Sequence, residues 1–220
     1  MAGVPEFVSV NGPDNAGKTT QLQRLAERWD TFQMLGAVHE HDPEPWERVA
    51  ADDYASWWFE KSTTVELTTM LVSSHLKRAA ARRAPRTGLL DRGLSMLTAV
   101  AAATSVVKDG LSADEALRTI RHITAPFPTH REASVLLLPS LDPDRSYAIT
   151  STRENRPWTG IYPAYQRHLH AILRHQAEEG IYDLVVDCEN HDVAEVHRQI
   201  VTGLDLLLPS HPRREDDDHR

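Results

Sequence analysis

One cysteine, Cys188, stands in 220 residues. No intramolecular disulfide can form, so the core alone must hold the fold, and a chain of this length can bury one within a single domain. Long apolar runs are missing as well. No stretch approaches the ~18 apolar residues of a membrane span, and clusters such as Val135–Pro139 have the length of buried strands. The first ten residues, MAGVPEFVSV, lack a basic region ahead of a long apolar one. They read as a lead into a strand, not as a signal peptide. Lysine is scarce, with 4 in the chain, net charge is −8, and no Lys/Arg face dominates. That balance argues against a nucleic-acid polymer as partner. Repeats and low-complexity linkers are absent. These absences fit a cytoplasmic protein with one domain over 1–208 and a charged, flexible tail at 209–220.

What is present is alternation. Phe7–Val10 is a short apolar strand. A helix over Lys18–Trp29 follows, with Leu22, Leu25, Ala26 and Trp29 on one face. The pattern predicts a second strand from Met34 to about His39. A loop at Asp42–Trp46 is expected from its two prolines, and one long helix from about Asp53 to Arg83. Leu89–Leu90 reads as a very short strand and Leu94–Val107 as an Ala-rich helix. Ser112 to Glu115 match a capping box that opens another helix. Ser134–Leu138 is apolar throughout, as a strand covered on both faces should be. Leu141–Gly160 is polar and reads as a loop or lid. Tyr162–Glu179 is a helix capped by Gly180, Asp183–Asp187 a last strand, and Val193–Leu204 the face of a last helix. Such alternation predicts an α/β fold with a parallel sheet and helices on both faces.

Residues 12–19 read G-P-D-N-A-G-K-T, a full match to the phosphate-binding pattern G-x-x-x-x-G-K-S/T. Gly12 and Gly17 allow a tight turn and close approach to phosphate oxygens. Successive amides through Asn15, Ala16 and Gly17, on to Thr19 and Thr20, point inward at negative charge. Lys18 places an ammonium beside the β- and γ-phosphates, and the Thr19 hydroxyl can bind Mg²⁺. From this composition a chance match is on the order of one in a thousand. The pattern therefore assigns ATP, or a close relative, as donor, with Mg²⁺.

With its neighbours the loop reads V-N-G-P-D-N-A-G-K-T-T-Q over 10–21. It resembles the E-G-x-D-G-x-G-K-S/T-T-Q loop of thymidylate kinases and their relatives. Asp91-Arg92-Gly93-Leu94-Ser95 resembles the D-R-Y/F-x-x-S segment that follows the third strand in that family. Leu141-Asp142-Pro143 resembles its L-D-x-x-P region, and Val185-Val186-Asp187 with the helix after it resembles its last strand and helix. The resemblance covers most of the chain. It implies a five-stranded parallel sheet in a P-loop kinase fold, a short arginine-bearing lid and a helix-mediated homodimer. It also implies roles. Asp14 faces the acceptor, Arg92 contacts it, Asp91 sits near Mg²⁺, and Arg153 and Arg156 close over the phosphates.

The departures lie on the acceptor side. Gly93 replaces the family's aromatic residue. No arginine occurs between Arg48 and Arg78, where the family carries one that grips the acceptor's phosphate, leaving His75 or Lys77 to substitute. The usual Glu-Pro-Gly-Gly is replaced by His39–Trp46. A carboxylate among Glu40, Asp42 and Glu44 is expected to act on the acceptor, Glu40 and Glu44 foremost, because ligands sit at the carboxyl ends of strands. His39 and His41 lack a third metal ligand. Among Trp57, Trp58 and Phe59, one ring is a candidate to stack on an acceptor base. The leading reading is phosphoryl transfer to an unusual nucleoside monophosphate. A kinase of a nucleoside or another small hydroxylated metabolite is the alternative, and a slowly hydrolysing nucleotide-binding regulator stands third.

Overall fold

The computed structural model describes residues 5–154 and 157–208. Strands β1 (Phe7–Asn11), β2 (Phe32–Met34), β3 (Thr87–Asp91), β4 (Glu132–Leu138) and β5 (Leu184–Asp187) form one sheet. All pairings are parallel, in the order β2-β3-β1-β4-β5. The central strands carry unbroken apolar runs because both faces are covered, and Val8, Val10, Leu89, Leu90, Val135 and Leu136 are fully enclosed. On one face α1 (Lys18–Arg28) and α9 (Val193–Leu207) pack Leu22, Leu25, Ile200 and Leu204 against the sheet. On the other lie α4 (Thr64–Ala80), α5 (Leu94–Asp109), α6 (Ala113–Thr124) and α8 (Tyr162–Glu178). Leu67, Leu71, Met96, Ile120 and Leu169 meet there around Leu136 and Leu138. The alanines of α5 keep its side chains short where α4, α6 and α8 crowd it. Among the described residues no helix is long and apolar enough to cross a membrane.

This is the expected P-loop kinase sheet, with helices on both faces. The connections differ from the sequence expectation. The chain does not continue as a strand to His39: β2 ends at Met34. Gly36, at φ 67°, turns it into a 3₁₀ turn over Val38–His41. The expected loop at 42–46 is instead the start of α2 (Pro43–Asp52). Proline suits a first helical position because its missing N–H would have had no partner there. The expected lid loop likewise contains α7 (Pro143–Thr152), where Asp142 accepts from the amides of Asp144 (2.8 Å) and Arg145 (3.2 Å). The long helix expected over 53–83 is broken. A short α3 (Tyr54–Ser56) leads into a π turn, Trp57–Lys61, and α4 then starts afresh. Thr63 and Glu66 cap it reciprocally, with Glu66 N to Thr63 Oγ1 at 3.1 Å and Thr63 N to Glu66 Oε2 at 2.8 Å. The expected tail at 209–220 lies outside the described residues.

The register sets Val10 beside Asp91 and Asn11 beside Leu136. β1 sits at the centre, with β3 on one side and β4 on the other. Ligands of open parallel sheets bind at such a reversal of strand order, beyond the carboxyl ends.

Candidate active site

The loop after β1 is shaped by two glycines. A Cβ on Gly12 (φ 141°) would lie 2.5 Å from the Leu137 carbonyl oxygen. Gly17, at φ 92°, is left-handed and faces open space just before α1. Lys18 is buried, and its Nζ donates to the Pro13 carbonyl at 2.7 Å. Burial, aided by the nearby charge of Arg92, lowers its pKa to about 8, against the pull of Asp14 and Asp91. Its hydrogen bond goes to a neutral carbonyl and not to a carboxylate, which leaves the ammonium able to take an anionic partner. Beside it opens a cavity of ≈ 530 Å³ lined by Asp14, Asn15, Gly17, Lys18, Thr19, Thr20, Asp91, Arg92, Arg153 and Glu154. Three cations, three carboxylates and the loop amides face one space; the amides and Lys18 at its floor fit a nucleotide polyphosphate, with the carboxylates left for a divalent cation or an acceptor. Thr19 and Asp91 both line it, so a hydroxyl and a carboxylate suited to Mg²⁺ are present.

The end of α7 is docked on this loop. Arg153 Nη1 donates to the Asn15 carbonyl at 3.0 Å. Asn15, itself at φ 61°, returns Nδ2 to Thr150 O (3.3 Å) and Glu154 Oε2 (3.0 Å). Arg156 lies outside the described residues.

Asp91 and Arg92 end β3 beside the loop. Arg92 Nη2 meets Asp14 Oδ1 at 2.7 Å and its Nη1 meets Asp91 Oδ1 at 3.3 Å. Arg92 adopts φ 65°, a strained value for a side chain of this size. A residue not anticipated from the sequence holds it there. Arg78 of α4 is fully buried. It donates to Asp91 O (2.8 Å), Arg92 O (2.6 Å) and Gly36 O (3.3 Å), and its Nη2 lies 3.0 Å from His75 Nδ1. The next residue is held from below. Gly93 N donates to Asn11 Oδ1 at 2.8 Å. A Cβ on Gly93 would sit 1.8 Å from Glu132 Oε1 and 2.6 Å from Ser9 Oγ, so the aromatic residue of the resembling family cannot be placed here. Burial raises the pKa of the Glu132 carboxyl against the hydrogen bond from Ser9.

A second cavity, ≈ 370 Å³, opens on the far side of Asp14, Asp91 and Arg92. Its walls come from the turn after β2 (Ala37, Val38, His39), from Trp46, Tyr54, Trp58, Phe59 and Leu71, and from α5 and α8. Asp14 joins the two spaces and is well fastened: Gln166 Nε2 donates to it at 3.0 Å and the Tyr162 hydroxyl also donates. Burial would raise its pKa, but Arg92, Lys18 and these donors together hold it below the usual value. The Tyr162 phenol is pushed up, by burial first and then by Asp14.

The structure does not bring Glu40 or Glu44 to this cavity. Glu40 folds back onto the amide of Ala37 at 3.1 Å, closing its own turn. Glu44 is exposed and faces Arg48 at 3.7 Å. Asp42 is buried under Ser74 (3.0 Å) and Lys77 (2.6 Å). The carboxylates at the cavity are Asp14 and Asp91. Of the aromatic trio, Trp58 and Phe59 line it and Trp57 does not. His39 stands at its mouth, while His41 Nε2 meets the Leu35 carbonyl, so the two imidazoles do not converge.

No protein-family model matches the chain, and no curated protein matches it. Solved structures do. A deoxyadenosine kinase from M. mycoides with bound dATP aligns over 90% of this chain and 99% of its own, at 13% identity and TM-score 0.60. A thymidylate kinase from Candida albicans aligns over 98% and 97%, at 13% identity and TM-score 0.62. The chain therefore has the fold of these nucleoside and nucleotide kinases.

Proposed function

We propose that this protein transfers the γ-phosphoryl group of ATP to a hydroxyl of a nucleoside, or of a similarly uncharged acceptor carrying a planar ring. The charge of the acceptor cavity carries this reading. Among the described residues the lining holds one permanent cation, Arg92, which is already shared between Asp14 and Asp91. A monophosphate placed there would bring about two negative charges toward two carboxylates, within apolar walls that screen poorly. His75 and Lys77 do not relieve the shortage. His75 is buried against Arg78, its pKa lowered to about 3 by burial and then by that guanidinium. Lys77 is paired with Asp42 at 2.6 Å. A neutral acceptor needs no such cation, which disfavours the monophosphate reading. The fold is shared with a deoxyadenosine kinase and a thymidylate kinase alike, so the choice of acceptor rests on the cavity's charge.

In this account the loop amides and Lys18 bind the β- and γ-phosphates. Arg153, docked on Asn15, supplies positive charge from the lid. Thr19 and Asp91 would hold Mg²⁺, which supplies neutralisation of phosphate charge. Asp14, at the junction of both cavities, accepts the hydrogen bond of the acceptor hydroxyl. The hydroxyl oxygen bonds to the γ-phosphorus in line as the bond to ADP breaks, and its proton passes to the Asp14 carboxylate. Such transfer depends on positioning and electrostatics, which is what these residues provide. The same cations disfavour a non-catalytic regulator.

ADP release from Mg·ATP, followed with a panel of nucleosides and their monophosphates, tests the reading. It expects acceptor-dependent ADP with at least one nucleoside and little with the matching monophosphate. The reverse preference would contradict it.

A further inference from the structure

The acceptor cavity is polarised along its length. Asp14, Asp91, Arg92 and the Tyr162 hydroxyl gather at the end nearest Lys18. Trp58, Phe59, Leu71, Met96, Val100 and Leu169 make most of the rest of the wall apolar, and the Tyr54 and Tyr165 phenols also line it. The indole N–H groups and the nearest threonine hydroxyl, which could have read a ring edge there, are turned elsewhere. Trp58 Nε1 donates to Thr104 Oγ1 at 3.0 Å, and Trp46 Nε1 to Ser74 Oγ at 3.0 Å. Thr68, one turn before Leu71, spends its hydroxyl on Thr64 O at 2.7 Å. Gln166 Nε2 is drawn to Asp14 (3.0 Å) and to the Tyr162 hydroxyl (2.7 Å), while its Oε1 is buried without a partner. Among the described residues no amide side chain lines the cavity, and its imidazole, His39, is exposed at the mouth.

We propose that this cavity selects its acceptor by stacking and shape, without hydrogen-bond reading of the ring's edge. This rests on the nucleoside-kinase reading above and gives it a substrate rule: nucleosides that differ in edge donors and acceptors are near-equivalent, provided that the ring fits. The contrast is large enough to measure. A site built to hydrogen-bond a substrate group rejects an analogue lacking it by about 10⁴-fold, whereas an apolar pocket discriminates by about 10- to 200-fold even for a missing methylene.

The test is a matched pair on one sugar: a natural pyrimidine nucleoside, and the analogue whose base is the apolar isostere difluorotoluene. kcat/KM is measured for the full chain with Mg·ATP, and affinity by quenching of indole fluorescence, since Trp46 and Trp58 line the cavity. The proposal expects the two values to agree within about 30-fold, below what edge reading imposes. A greater loss for the isostere, with the natural nucleoside still phosphorylated, overturns the proposal and leaves the kinase reading standing. No turnover with any nucleoside, and no quenching, takes down the kinase reading and this rule with it. His39→Ala provides an independent check, because the ratio between natural nucleoside and isostere should be unchanged. A ratio that collapses on this substitution would show that His39 reads the edge.

Discussion

Gly93 carries the clearest lesson at the scale of single residues. Its peptide links Arg92, in a left-handed conformation, to the first turn of α5. Ser9 and Glu132 fill the space that any side chain would need, and Asn11 holds the Gly93 amide. Gly93→Ala should therefore destabilise the protein by about 1–3 kcal/mol, the usual cost of overpacking a filled site. It should also reduce turnover, because Arg92 moves with its neighbour. Urea denaturation reads the first effect, and wild-type stability would refute the packing account. The turn at Gly12 and Gly17 was legible in the sequence because both places demand a backbone that only glycine adopts freely. Arg78 was not. An arginine near a helix C-terminus ordinarily reads as a solvated charge, and only the fold shows that it caps carbonyls of another element. Glu40 and Glu44 lie away from the cavity for a related reason: the chain turns after β2, Glu40 closes that turn on the Ala37 amide, and Glu44, in the first turn of α2, faces Arg48.

At the scale of elements, two Asp-Pro steps were read as loop and proved to be helix starts. Asp42-Pro43 opens α2 and Asp142-Pro143 opens α7. Proline marks an end only when it falls inside a helix; at the first position it favours a beginning. The break before α4 was also encoded, since Thr63 and Glu66 have the spacing of a capping box. The apolar and aromatic residues around it hid that signal. The start of α7 leads to a prediction about the lid. Asp142→Ala removes two capping hydrogen bonds and should cost about 1 kcal/mol. Because α7 carries Arg153, amide exchange over 143–152 should rise while the sheet stays protected. Unchanged exchange in that segment would mean that the cap does not hold the lid.

Over the whole molecule, the parallel sheet and its two covered faces were legible from alternation alone, because each strand–helix unit carries its own periodicity. Strand order was not, being decided by packing between units distant in sequence. The assembled core also buries two histidines. His75 of α4 lies 3.0 Å from Arg78 Nη2, and His170 of α8 faces Ser146 of α7 at 2.5 Å. Burial lowers the pKa of His170 to about 4 and that of His75 to about 3. Both folded values lie below the unfolded value of about 6.5, so the unfolded chain takes up protons first as pH falls. Their contribution to stability is complete above about pH 6.5 and is lost progressively toward pH 4, on the order of 3 kcal/mol for each histidine. Denaturation midpoints measured across that range should fall steadily, and a flat profile would contradict the burial of neutral imidazoles.

The central claim is that the loop at 12–19 delivers a phosphoryl group to an uncharged acceptor across Asp14, Asp91 and Arg92. Transfer of label from γ-³²P-ATP tests it most directly. With wild-type protein, Mg²⁺ and a nucleoside, label should appear in the nucleoside monophosphate, and Lys18→Ala should cut that transfer by about 10²-fold or more while far-ultraviolet circular dichroism is unchanged. Label appearing only in inorganic phosphate, or a Lys18→Ala variant of near-normal rate, would contradict the account.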